Sequence, residues 1–277
     1  MNDNGSERAT RSLAAVKILT LLLWLYCTLG CDESRERARG TTRGGSDSNS
    51  SGGSSTRPAD LSRHGSIVVL GSSTAAGIGP KDSKNAWALR YQAYLTKQFP
   101  NVTLINLAVG GQTTFEIQPT DYVPPANRPA PVAGKNITAA LAVHPSAIII
   151  SLPSNDQAND YPLAEQIANY DRVANLANRA HVPLWVSTTQ PRNFDDSKQI
   201  DALIQMRDLI LQKFAPRALD FWTPFAAPNG FIKGSYNVGD GTHMNDAAHG
   251  LLAEIVKSAQ IPEQFARSAG ASPSAAQ

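Results

Sequence analysis

Short unbroken apolar runs alternate along this chain with longer stretches whose apolar residues recur at helical spacing. Ile67-Val68-Val69-Leu70, closed by Gly71, has the pattern of a buried parallel strand, and order is expected to begin near Ser66. Residues 84–98 place Trp87, Leu89, Tyr91, Tyr94 and Leu95 on a helix that Pro100 stops. Val102 to Leu107 forms a second strand in this reading. Residues 119–135 carry five prolines and are expected to be a loop, followed by a short helix over 136–142. Ala147 to Ser151 is the third strand, 163–180 an amphipathic helix, Leu184 to Ser187 the fourth strand and 197–214 another helix. Leu219 to Trp222 supplies a fifth strand, and 245–258 a closing helix. Strands that alternate with helices predict right-handed βαβ units. The expected fold is therefore α/β: a three-layer α/β/α sandwich on a mostly parallel, doubly wound, flavodoxin-like sheet of five strands. Functional sites in such sheets form beyond the carboxyl ends of the strands.

The first 65 residues break this pattern. Arg8, Arg11 and Lys17 precede an apolar run from Ile18 to Gly30, which is long enough for a signal-peptide core and short for a spanning helix. The run ends at Thr28-Leu29-Gly30-Cys31. A small residue before a cysteine resembles a bacterial lipobox. That resemblance implies lipidation of Cys31, membrane attachment through it, and work outside the cytoplasm; an ordinary cleaved signal or an uncleaved anchor remains open. Residues 32–65 are rich in Ser, Gly, Arg and Asp and hold little to bury, so a disordered tether is expected there. The folded domain is expected over 66–265, with a disordered tail over 266–277.

Charge and cysteine content narrow the chemistry. The net charge of +2 is small, and much of the basic excess falls in 35–63, most simply a solvated spacer. No nucleic-acid partner is expected. The two cysteines are Cys27 and Cys31, so the domain has neither a disulfide nor a thiol nucleophile. His64, His144, His181 and His249 form no ligand cluster by spacing, and no metal or other cofactor is expected.

Four segments carry candidate chemistry. Gly71-Ser72-Ser73-Thr74-Ala75-Ala76-Gly77 follows the first strand, placing Ser73 at a strand's carboxyl end. It lacks the Lys-Ser/Thr ending of a P-loop; a plain connector or an anion-binding nest also fits. In Asp240-Gly241-Thr242-His243 the spacing lets a carboxylate reach the imidazole and fix its tautomer, although a turn Asp and a surface His read the same way. Gly111, after the second strand, has a bare N–H to offer an oxyanion, or is merely a turn. Asn155, after the third strand, has an amide for the same oxyanion, or is a helix cap. Three of these segments end predicted strands in order, and the fourth precedes the last helix. A nucleophile, a base with its orienting acid, and two oxyanion donors are the requirements of acyl transfer.

In these four blocks the chain resembles the SGNH hydrolases, also called the GDSL esterases. Ser73 matches the block I serine, Gly111 the block II glycine, Asn155 the block III asparagine, and Asp240 and His243 the Asp-x-x-His of block V. The resemblance spans 66–258 and implies a catalytic triad of Ser73, Asp240 and His243, with an oxyanion hole made by Ser73, Gly111 and Asn155. Ser72 stands where the family usually has Asp, and Pro153 where it usually has Gly. The adjacent Ser72 is thus an alternative nucleophile.

The implied mechanism is two-step acyl transfer from an ester. An exported domain meets acylated polysaccharides, peptidoglycan and lipids. Plentiful Asn, Gln and Thr near the expected site favour a small-acyl carbohydrate esterase. Tyr122, Phe221, Trp222, Phe225 and Tyr236 are candidates for stacking on sugars, with a core role the competing reading for Phe221 and Trp222. A lysophospholipase or thioesterase acting on long acyl chains, an acyltransferase and a non-catalytic surface binding module are the rival readings.

Overall fold

The computed structural model describes residues 63–152 and 154–265. The predicted export signal with Cys31, the predicted tether up to residue 62, Pro153 and the predicted tail 266–277 lie outside the described residues.

Five parallel strands make one sheet. They are β1 (Gly65–Gly71), β2 (Val102–Asn106), β3 (Ala147–Ser151), β4 (Leu184–Ser187) and β5 (Ala218–Leu219), in the spatial order β2-β1-β3-β4-β5. This is the doubly wound order expected from the sequence, with β1 central between β2 and β3. Successive side chains of a strand point to opposite faces, and β1 divides accordingly. Ile67 and Val69 enter one core with α2 (Trp87–Gln98) and α7 (Asp246–Ser258), which pack together. Val68 and Leu70 enter the other core, with α3 (Ile137–Ala142), α5 (Leu163–Arg179) and α6 (Ser197–Phe214). Both sheet faces are therefore covered, and an unbroken apolar run is what such a strand requires.

Local chemistry sets the helix starts. The side chain of Asn136 caps α3 by accepting from Ala139 N–H, Asp196 caps α6 through Lys198 N–H, and Asn245 caps α7 through Ala247 and Ala248 N–H. Each such cap contributes about 1 kcal/mol. Two further helical turns, α1 (Ser73–Ala76) and α4 (Asn155–Ala158), directly follow the ends of β1 and β3.

Several expectations change. The helix expected over 84–98 begins at Trp87, because Ser83–Asn85 form a separate 3-10 turn capped by Asp82. The fifth strand is Ala218–Leu219 rather than Leu219–Trp222. Asp220 ends it by accepting from the Trp222 and Thr223 N–H groups, which curls the chain off the sheet. Phe221, Trp222 and Phe225 are buried in the cores and have no face for a sugar. Order also begins before Ser66: β1 starts at Gly65, and the buried Arg63 donates from Nη1 to the Phe265 carbonyl. The proline-rich stretch 119–135 has no helix or strand, as expected, and is held to α5 where Arg128 pairs with Glu165 and lies over the Tyr161 ring.

Candidate active site

The carboxyl ends of β1, β2 and β3 bring three of the expected segments to one edge of the sheet. Ser72 N–H donates to Ser151 O at the end of β3, and Val109 N–H donates to Gly71 O at the end of β1. Asn106, the last residue of β2, donates from its amide to Ala75 O and accepts from Ala108 N–H. It ties α1 to the loop that carries Gly111. Gly71 serves through size: a Cβ there would lie 2.6 Å from Ser151 O.

Ser73 is the first residue of α1, and its side chain is largely buried. The first N–H groups of a helix have no acceptor within it. Among the described residues, neither Ser73 N–H nor Gly111 N–H donates to another group. Gly111 has φ +87°, a left-handed value that side chains disfavour, and nothing occupies the space where a Cβ would sit. Both groups are thus free to serve a developing oxyanion.

Asn155 is placed differently from a free donor. Its Nδ2 donates to Ser72 Oγ at 2.6 Å and to Gln112 O at 2.9 Å, so both amide hydrogens are engaged. To serve an oxyanion it must share or release one of them. Ser72 is fully buried, and its hydroxyl occupies itself as this acceptor. Ser73 keeps a little exposure where Ser72 has none. Next to Asn155, the buried Asp156 accepts from Thr114 N–H and Oγ1, the latter at 2.6 Å, which fixes α4 to the loop after Gly111. Burial pushes the Asp156 pKa up to about 6, against the pull of those Thr114 bonds.

Asp240 and His243 meet as their spacing predicts. Asp240 Oδ2 lies 2.6 Å from His243 Nδ1, and Oδ1 accepts from the Thr242 and His243 backbone N–H groups at 2.8 Å each. A carboxylate can only accept here, so Nδ1 of the neutral imidazole carries the proton and Nε2 is left as its acceptor nitrogen. Partial burial raises the Asp240 pKa, but the His243 and Thr242 hydrogen bonds outweigh it and bring the value down to about 2. The acid therefore stays ionised across the neutral range.

The link between Ser73 and His243 is indirect in this structure. Neither Ser73 Oγ nor His243 Nε2 has a hydrogen-bond partner among the described residues. Their segments are nevertheless locked together at two places. Gly79, just beyond α1, has φ +124°, and a Cβ there would overlap the carbonyl oxygen of Met244, the residue after His243. On the other side, Thr74 Oγ1 donates to the Gln190 side chain at 3.1 Å, and Asn193 N–H donates to Gly241 O at 2.8 Å. The segment after β4 thus bridges the turn of Ser73 to the loop of Asp240. Hydrogen bonds between a nucleophile and its base often tighten only around substrate.

Sequence reasoning missed this bridge. Gln190 and Asn193 belong to no motif, and only their place beyond the end of β4 signals them. His249 was equally silent: it is fully buried, with Nδ1 accepting from Trp87 N–H at 3.1 Å. A groove of about 490 Å³ lies at the opposite, amino edge of the sheet against Leu184, Lys213 and Arg217, and no candidate site residue lines it.

Comparison with curated proteins returned no match. Among solved structures the chain is similar to the psychrotrophic esterase EstA from Pseudoalteromonas sp., in a structure inhibited by monoethylphosphonate, with 17% identity, TM-score 0.53, and coverage of 70% of this chain and 95% of that one. It is similar to the acetyl xylan esterase AlAXEase at 14% identity and TM-score 0.55, covering 70% and 98% of the two chains. A lipase/acylhydrolase from Enterococcus faecalis gives 14% identity and TM-score 0.54, covering 73% and 97%. At these identities the likeness establishes the fold. The model of the GDSL-like lipase/acylhydrolase family matches residues 69–251, which hold all four segments described above. The chain belongs to the GDSL-like lipase/acylhydrolase family and is an ester hydrolase of the serine type.

Proposed function

We propose that this protein removes small acyl groups, acetyl foremost, from carbohydrate, with Ser73 as nucleophile, His243 as base and Asp240 as its orienting acid. The observation that carries the assignment of roles is the 2.6 Å contact of Asp240 with His243 Nδ1, which leaves Nε2 as the free base. In the proposed reaction His243 Nε2 takes the Ser73 proton as Oγ attacks the acyl carbon. The Ser73 and Gly111 N–H groups, joined by the Asn155 amide, hold the oxyanion. His243 then protonates the leaving alcohol, and water releases the acid by the reverse sequence.

The preference for a polar alcohol rests on the surroundings. Gln112, Thr113, Thr114, Gln157, Thr188, Thr189 and Gln190 make the layer around the strand ends polar. Carbohydrate esterases among the similar folds support this reading. A second reading, longer acyl chains, is favoured by two exposed apolar residues, Ile78 beside Gly110 and Val238 before Asp240. Export, with lipid attachment through Cys31, is part of the proposal and rests on the sequence pattern of residues 1–31.

Hydrolysis of acetyl and octanoyl aryl esters, alongside acetylated xylan, tests the substrate class. Faster turnover of acetyl esters and release of acetate from xylan are expected. A strong preference for octanoyl esters with no acetate released would overturn it.

A further inference from the structure

The segment after β4 that bridges Thr74 to Gly241 carries a cation, Arg192. Its neighbours Gln190 and Asn193 are the two anchoring residues, so Arg192 lies between the turn of Ser73 and the loop of Asp240 and His243. Its side chain is half-buried, and its guanidinium lies 4.8 Å from the Phe194 ring centroid. Phe194 is itself buried, which holds that stacking platform in place. Stacking uses the face of a guanidinium and leaves its N–H edge for a bidentate anion.

No carboxylate among the described residues lies within ion-pair distance of Arg192. Burial lowers its pKa, and the nearby Asp240 charge works against that. Asp240 is already committed to His243 through one oxygen and to two backbone N–H groups through the other. Four residues after Arg192, Asp196 is spent as the cap of α6. A half-buried guanidinium without a counter-ion costs free energy, and a carboxylate on the substrate offsets that cost.

We propose that Arg192 is a specificity residue that binds a carboxylate on the substrate, so that the preferred substrate is an O-acetylated acidic sugar. This deepens the carbohydrate-esterase reading and rests on it. The bidentate geometry suits the carboxylate of a uronic acid or of a lactyl-substituted amino sugar, and a neutral sugar leaves Arg192 without a partner.

The test compares matched substrates: O-acetylated methyl glucuronoside and O-acetylated muramic acid glycoside, each as the free acid and as the neutral primary amide. For the purified enzyme, kcat/KM is expected to favour the acid over its amide by about tenfold or more in at least one pair, mainly through KM. Arg192→Gln should bring that ratio close to one, Arg192→Lys should restore part of it, and added salt should shrink it in the unaltered enzyme. Equal rates for acid and amide in both pairs, or an acid preference that survives in Arg192→Gln, would overturn the assignment. If none of the four acetyl esters is cleaved while octanoyl aryl esters are, the carbohydrate reading itself fails. The salt and amide comparisons need no variant, so a misfolded Arg192→Gln leaves the question decidable.

Discussion

Asn155 Nδ2 donates to Ser72 Oγ at 2.6 Å, so the serine preceding the proposed nucleophile anchors the third proposed oxyanion donor. Family relatives usually carry Asp at this place, and both residues supply an acceptor oxygen. Ser72→Ala leaves the amide held on one side alone, by Gln112 O. Misplacement of an oxyanion donor costs rate, so kcat should fall about tenfold, with little change in KM. Ser72→Asp should recover most of that loss. A Ser72→Ala enzyme with unaltered kcat would remove Ser72 from any positioning role.

Asp240 is expected to act through the tautomer and orientation of His243. Asp240→Asn keeps the shape but offers an amide in place of an acceptor-only carboxylate. By analogy with other serine triads, kcat should drop about a thousand- to ten-thousandfold while the fold survives. Aryl acetate kinetics with circular dichroism on the same samples checks this. A loss under tenfold would mean that His243 does not need this partner.

Gly79 joins the segments of Ser73 and His243, because only a residue lacking Cβ fits against the Met244 carbonyl at φ +124°. Gly79→Ala should destabilise the protein by about 1–3 kcal/mol. It should also lower kcat, since relief of the overlap moves the chain beside His243. Urea unfolding and ester turnover report the two effects. Full stability together with full activity would show that the contact positions nothing.

The buried His249 predicts a pH effect of definite sign. Burial holds its pKa down to about 4, despite weaker opposing influences, against about 6.5 for a free imidazole. Between those values the unfolded chain binds a proton that the folded protein refuses, so His249 costs stability as pH falls from about 6.5 towards 4. Asp156, raised to about 6, has the opposite slope over much of that window, because the folded form takes up its proton first. The wild type alone would therefore show little change. A His249→Asn variant shares Asp156 but not the imidazole. Its stability deficit at pH 7 should shrink by about 2 kcal/mol at pH 5. Urea melts at the two pH values measure it, and a constant deficit would contradict the assignment.

The parallel sheet was legible because β1 and β3 are unbroken apolar runs, which only a strand covered on both faces needs. Asp240 and His243 were legible because three residues suffice to bring a carboxylate to an imidazole within one loop. The end of β5 was not: Leu219 to Trp222 is apolar enough for a strand, and the Asp220 side chain decides otherwise. The burial of Phe225 and the bridge through Gln190 and Asn193 depend on segments far apart in the chain, and local pattern carries no trace of such contacts. Asn155 could be placed at the site from sequence, whereas the engagement of both its amide hydrogens required the positions of Ser72 and Gln112.

Reaction with a fluorophosphonate, followed by peptide mass spectrometry of the folded protein, bears most directly on the nucleophile. The account predicts one adduct, on Ser73, formed also in Ser72→Ala and absent in Ser73→Ala. An adduct on Ser72, or none on an enzyme that still turns over ester, would contradict it.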